Sequence, residues 1–313
     1  MSERCSQICW PEGKSFAFTI FDDPDSQSLE AGRQVYGLLR ELGLRTTKGV
    51  WPVRGPREPS DSGWTCADPG YAEWARELQE AGFEIGLHNV TSHTSLREET
   101  AAGLDQFERI FGHYPRCFAQ HYSCAENLYW GDGRLSAECR LLYNLLTRFQ
   151  NRNRFHGHIP GHPEFWGDLC QARIQYVRSF VFEEINTLKI CPFMPYHDPV
   201  RPYVNYWYAS SEGSNVQRFN AAICEANQDR LEAEGGACIM YTHFGHSYCT
   251  PQLNSRFVEL IGRLSKRNGW FVPVSRLLDY LLQHNPGGHT ITPGQRKRME
   301  RRWLLHKIHY GTA

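Results

Sequence analysis

The chain of 313 residues has no apolar run long enough to span a bilayer. Its opening stretch, MSERCSQICWPEG, lacks the apolar core of a signal peptide. These two absences lead to the expectation of a cytoplasmic protein with no transmembrane segment. Neither sign of charge is in excess, with 34 Lys and Arg against 34 Asp and Glu. No stripe of basic and aromatic residues is present either, so nucleic acid is not an expected partner. There is no CxxC pair; the 11 cysteines are odd in number and scattered, which reads as reduced thiols and not as a disulfide frame. There is no internal repeat, and no linker before about Asn285. What is present is a 41% hydrophobic content, enough for a large core, at a length ordinary for one α/β barrel.

Short apolar runs alternate with stretches of helical spacing. Phe16 to Phe21 reads as a strand, followed by a helix over Leu29 to Leu42 that Gly43 stops. A strand over Thr46 to Val53, a helix over Tyr71 to Ala81 and a strand over Phe83 to Leu87 continue the rhythm. A helix over Leu96 to Phe111 and a strand over Arg116 to His121 follow. The alternation implies a parallel sheet with crossover helices. From Tyr122 to about Arg218 the rhythm breaks, with a helix near Ser136 to Phe149 and a strand over Tyr176 to Phe182. It resumes with a helix at Phe219 to Ala233, a strand at Ala237 to Thr242, a helix at Gln252 to Lys266 and the stretch Gly269 to His284.

Three of these strands stop on groups able to carry chemistry. The first, SFAFTIFDDPD, ends on Asp22 and Asp23, with Asp25 beyond Pro24. Adjacent carboxylates repel unless a proton or cation separates them, although DDPD is also ordinary turn composition. The second, EIGLHNVTSHTS, places His88 at a strand end and His93 five residues on. On a helix the two would point roughly 140° apart and on a strand to opposite faces, so they converge only if the chain turns between them. Imidazoles are common zinc ligands, and two of them with a carboxylate leave a position open for water. The third, CIMYTHFGH, stops on His243. In a parallel barrel all three strand ends lie on one face, where active sites form.

In this order the motifs FTIFDD, EIGLHNVTSH and IMYTH resemble the metal-dependent polysaccharide deacetylase family, carbohydrate esterases related to chitooligosaccharide deacetylase. The resemblance spans roughly Phe16 to Leu282 and matches the middle segment poorly. It implies an α/β fold, a distorted (β/α) barrel of seven strands. It implies Asp22 as catalytic base, Asp23, His88 and His93 as ligands of a divalent metal, zinc above others, and His243 as general acid. There are departures from the family pattern. The glycine after the acid pair is absent, the His spacing is one residue longer, and CFAQHY sets Ala119 where the family has an arginine linked to its base and His121 where it has a proline. His121 is expected to enter the site or to be structural.

The middle segment, 122–218, reads as a substrate-recognition insertion, with His121, Tyr203, Asn205 and Trp207 as sugar-binding candidates. Aromatic packing of a long loop explains the same residues. Residues 286–313 are set apart from the barrel at 1–285. Thr292, Pro293 and Gln295 form a helix start, and the helix is basic and amphipathic, with Met299, Trp303, Leu304 and Ile308 on one face. It is expected to dock on the barrel; peripheral contact with an anionic membrane is the alternative. The sequence thus points to a hydrolase, a carbohydrate deacetylase that removes an N-acetyl or similar acyl group from an amino sugar or a surface-polysaccharide precursor. A hydrolase of a small non-sugar amide and a non-catalytic carbohydrate-binding protein are the alternatives.

Overall fold

A computed structural model describes residues 8–284 and 289–311. The boundary expected at 285/286 lies outside the described residues. The elements in order are β1 (Phe16–Asp22), α1 (Leu29–Glu41), β2 (Thr47–Val50), α2 (Tyr71–Glu80), β3 (Glu84–Leu87), α3 (Arg97–Phe111) and β4 (Cys117–Phe118). There follow α4 (Ala137–Leu146), α5 (Gly167–Arg173), β5 (Tyr176–Phe182), α6 (Thr187–Ile190), β6 (Tyr206–Glu212), α7 (Val216–Ala222) and α8 (Glu225–Ala233). The chain ends with β7 (Ala237–Thr242), α9 (Ser255–Ser265), β8 (Gly269–Phe271), α10 (Val274–His284) and α11 (Pro293–Tyr310).

Seven parallel strands, β1 to β7, close into a barrel. One edge of β1 pairs with β7 along Ala17 to Asp22. Its other edge is shared: Phe16 to Phe18 pair with β8, and Phe21 and Asp22 pair with β2. β8 is therefore a wedge at the amino-terminal end of the ring. Every residue of β1, β5 and β7 is buried, as expected for parallel strands covered by helices outside and filled by side chains within. Phe21 occupies the barrel interior so closely that a Cβ on Gly49 of β2 or Gly86 of β3 would come within 2.9 Å of its ring. Inward Phe21 fixes inward Asp23 and outward Asp22, because side chains alternate along a strand.

The helices follow the sequence pattern. Ser28 caps α1 by accepting the Ala31 N–H, Val35, Tyr36 and Leu39 face the sheet, and Gly43 at φ 74° ends the turn that follows. The segment 122–218 is not a simple insertion. It carries β5 and β6, two strands of the ring, and YWYASSE is one of them. Its added parts are the long connections from β4 to β5 and from β5 to β6. α11 packs on α4 and β5 with Met299, Glu300, Trp303 and Leu304 buried. Among the described residues no helix is long and apolar enough to cross a membrane.

Candidate active site

The carboxyl ends of β1, β3, β4 and β7 bring together Asp23, Asp25, His88, His121 and His243. Asp25 is the centre. Its Oδ2 lies 3.1 Å from His88 Nε2 and 3.8 Å from His243 Nε2, and its Oδ1 lies 3.2 Å from His121 Nε2. Burial alone would raise the Asp25 carboxyl, but the imidazoles of His88, His243 and His121 overcome it and hold the group well below the usual carboxylate range. His121 is fully buried, and burial together with the neighbouring His88 pushes it down to about 3.

Despite these short separations, Asp25 Oδ2 and both ring nitrogens of His88 have no hydrogen-bond partner. Buried polar atoms without partners are costly. Donor atoms of Asp25, His88 and His121 lie within 4.8 Å of one another, and those of Asp23, Asp25 and His243 form a second such group. One carboxylate and two imidazoles around unmet lone pairs are a donor set suited to a divalent metal.

Asp23 is held differently. Arg178 of β5 grips it through two charge-assisted hydrogen bonds, Nη1 to Oδ1 at 3.0 Å and Nη2 to Oδ2 at 2.6 Å. Burial would depress Arg178, but the Asp23 carboxylate outweighs it and raises the guanidinium above its ordinary value. The guanidinium also lies over the Tyr241 ring at 4.3 Å. His243 directs Nδ1 to the Ser214 carbonyl at 2.7 Å, which leaves Nε2 facing the acids, with the Tyr241 hydroxyl 3.2 Å from it.

Asp22 does not enter this group. It points outward from β1 into a closed shell made by Lys48 Nζ at 2.9 Å, Tyr36 OH at 3.1 Å, Gln27 Nε2 at 3.2 Å and the Phe244 N–H at 2.8 Å. Burial holds its carboxyl above the ordinary range, against the pull of Lys48 and the Phe244 N–H. The expected base is thus a buried structural acid, because β1 keeps its alternation through Asp22. His93 is also elsewhere. The turn after His88 swings it away, so that Nδ1 meets the Thr94 carbonyl at 2.9 Å and Nε2 accepts the Arg57 N–H at 3.4 Å. A Cβ on Gly55 would sit 2.2 Å from that Nε2, so the 54–57 loop closes over it.

Tyr203, Asn205 and Trp207 serve packing. Trp207 is buried at the amino-terminal end of β6, opposite Val177. Asn205 donates to the carbonyls of Gln171 and Ile174, and Tyr203 packs edge-on to Phe165 and against Gly167. These residues lie on the early part of β6 and the loop before it, away from the strand ends that form the site. The aromatic residue that does stand there exposed is Tyr122, 64% accessible and with its ring 5.1 Å from that of His121.

Three further residues of the site have sequence signals of their own. Arg178 is a charged residue inside the apolar run YVRSFVF, where a buried cation requires a partner. Asp25 is a third acid in the DDPD turn that follows the strand. Asn89, in the left-handed region at φ 52°, accepts the His121 N–H at 2.8 Å and donates to Glu126 at 2.8 Å, which fixes the chain carrying His121 to the end of β3.

No family model and no curated protein sequence matches the chain. Solved structures do. A candidate polysaccharide deacetylase from Mycobacterium smegmatis superposes with a TM-score of 0.56 at 15% identity, over 91% of this chain and 96% of that one. The chain has the polysaccharide-deacetylase fold. The Puue allantoinase has a TM-score of 0.53 at 12% identity, covering 89% of this chain and 94% of its own. A candidate polysaccharide deacetylase from Pseudomonas aeruginosa PAO1 has 0.50 at 12%, covering 89% and 95%.

Proposed function

We propose that this polysaccharide-deacetylase-like barrel is a metal-dependent hydrolase that removes an acetyl or similar acyl group from the nitrogen of an amino sugar. The observation that carries the reading is the buried Asp25, His88 and His121 group with its unmet donor atoms. These three residues would hold a divalent metal, and the donor set of two nitrogens and one oxygen favours zinc. When bound, the metal supplies Lewis acidity to the acyl carbonyl and a lowered pKa to a water in its open position. Asp23 is the base. Arg178 occupies one lone pair on each of its oxygens, which orients the carboxylate and leaves further lone pairs to take a proton from the attacking water. His243 carries a proton on Nε2 to the leaving nitrogen, with Ser214 and Tyr241 fixing the ring. Trp51, whose ring lies 5.8 Å from His88 and 5.5 Å from His121, keeps water from one side. Tyr122 offers a ring face to the sugar.

The fold likeness to an allantoinase supports a second reading, hydrolysis of a small non-sugar amide. The near-complete burial of Asp25 and His243, 4% and 8% exposed, suits entry of a small group in either case. The test is product release from a panel of N-acylated amino sugars and small amides, with wild type and Asp25→Asn in parallel, each analysed for metal. Acyl release from sugars by wild type alone supports the first reading, and turnover of small amides alone supports the second. Absence of release from every compound by metal-loaded protein would sink both and leave a non-catalytic binding protein. Tyr122→Ala is expected to weaken sugar binding by about 1–3 kcal/mol, by analogy with aromatic stacking of bases.

A further inference from the structure

The loop between β4 and β5 carries a second group of metal-ligating side chains, well apart in sequence from the strand ends that build the deep site. His156 Nδ1 lies 2.7 Å from Glu164 Oε2, and His162 Nδ1 lies 3.2 Å from the same oxygen. The two imidazole rings stack at 3.9 Å between centroids and 25° between planes. One donor atom from each of the three residues falls within 4.8 Å of the others. We propose that His156, His162 and Glu164 form a second binding site for a first-row divalent cation, with zinc the preferred ion.

Tautomers favour this over a chance contact. His156 Nε2 faces the Asn153 carbonyl at 2.9 Å, an oxygen that can only accept, so Nε2 carries a proton and Nδ1, 2.7 Å from Glu164 Oε2, is the nitrogen that would coordinate on giving up its own. A backbone carbonyl on the second ring nitrogen is the usual means of orienting a histidine ligand. His162 Nδ1 accepts the Glu164 N–H only at 3.5 Å, the outer limit of a hydrogen bond, so this nitrogen bears its lone pair, and coordination would exchange a weak contact for a metal bond. A cation among the three would replace these contacts with bonds to all three donors. Two imidazoles and one carboxylate match zinc, and the side chains, 16–34% exposed, leave a position open to water.

The backbone holds these residues in place independently of any ion. Ile159 N–H donates to His156 O, His162 N–H to Ile159 O and Phe165 N–H to His162 O, which sets consecutive turns around the group. His156 N–H donates to Ala125 O at 2.7 Å and the Trp166 indole to Glu126 O at 2.7 Å. Between them, Gly157 lies so close to Glu126 O that a Cβ would approach to 1.8 Å. The site is therefore pinned to 121–127, the segment that carries His121, and its cation would clamp the loop against that segment.

Tag-free, full-length protein tests this in a His88→Ala background, where the deep site is disabled and the result does not depend on the proposed function. After zinc loading and desalting, elemental analysis is expected to find one equivalent in His88→Ala and none in His88→Ala/His162→Ala. Zinc should raise the melting temperature of the first protein and not of the second. Asp25→Asn replaces His88→Ala if the latter does not fold. In the wild-type background, His162→Ala should remove one equivalent. The proposal is overturned if the deep-site variant binds no zinc, which would mean an ion pair only, or if adding His162→Ala leaves its zinc uptake unchanged. A deep site that never binds metal would show instead as wild type holding a single equivalent that His162→Ala abolishes.

Discussion

Asp22, Asp23 and Asp25 are three acids in four positions with three different surroundings. Asp22 faces Lys48 in a shell without solvent, Asp23 faces Arg178, and Asp25 faces three imidazoles. Each substitution should therefore read out differently. Asp22→Asn leaves the buried Lys48 ammonium uncompensated and should cost about 3–5 kcal/mol in urea denaturation, the usual loss on breaking a buried pair. The folded fraction should keep its metal. Asp25→Asn should abolish metal binding at the deep site, while circular dichroism shows the barrel intact. Asp23→Asn should keep the metal and lower turnover by about 10²–10⁴-fold, the contribution of a positioned base. Metal loss in Asp23→Asn equal to that in Asp25→Asn would count against the base assignment. A strand ending on acids was legible in SFAFTIFDDPD. Which acid enters the barrel was not, because it depends on whether β1 stops before or after Asp22, and a one-residue shift reverses the faces.

At the level of elements, β1, β3, β5 and β7 were readable because each is a short apolar run ended by polar residues, and His88 and His243 stand at those ends as expected. β6 was not, since YWYASSE carries three aromatics and three polar residues without clear alternation, and its burial is set by neighbouring β5 and β7. Where the sequence sets Ala119, that position sends no cation to the acids of β1; the guanidinium that meets Asp23 stands on the next strand, at Arg178, and only the closed barrel brings it into range. The β4–β5 connection has a pH signature of its own. His158 accepts the Tyr129 N–H at Nδ1, at 3.1 Å, and burial lowers its pKa from 6.5 to about 4. The folded protein thus binds fewer protons than the unfolded chain between these values, so this contribution to stability is complete above about 6.5 and is lost as pH falls toward 4. His158→Asn places an amide oxygen near the position of Nδ1 and removes the titration. The stability advantage of wild type over this variant should shrink by about 1.4 kcal/mol per pH unit in that window, measured by denaturation at pH 7.5 and 4.5. An advantage that stays constant would mean that His158 is not held neutral by the fold.

Across the whole molecule, α11 joins what the chain order separates. The sequence announced its start, and the Thr292–Gln295 capping box is present, with the Gln295 N–H donating to Thr292 Oγ1 at 3.3 Å. Its docking partners are far away in sequence. Glu300, fully buried, accepts the Ser136 N–H at 2.9 Å at the start of α4, and Arg296 Nε donates to Asp198 Oδ2 at 3.0 Å. Trp303 packs 5.7 Å from Tyr143 of α4 and 5.2 Å from Phe180 of β5, and it covers the buried guanidinium of Arg134 at 4.9 Å. Arg298, Arg301 and Arg302 remain outside, together with the exposed apolar residues Leu305 and Ile308. A docked helix and a membrane-seeking tail thus predict opposite outcomes for one substitution. Trp303→Ala empties a filled position between barrel and helix and should cost about 3–5 kcal/mol in a single cooperative unfolding transition. The deep-site metal should be retained in the folded fraction. If instead the stability of the barrel is unchanged while binding to anionic vesicles falls, the helix acts at a membrane surface and its seat on α4 and β5 does not hold the fold together.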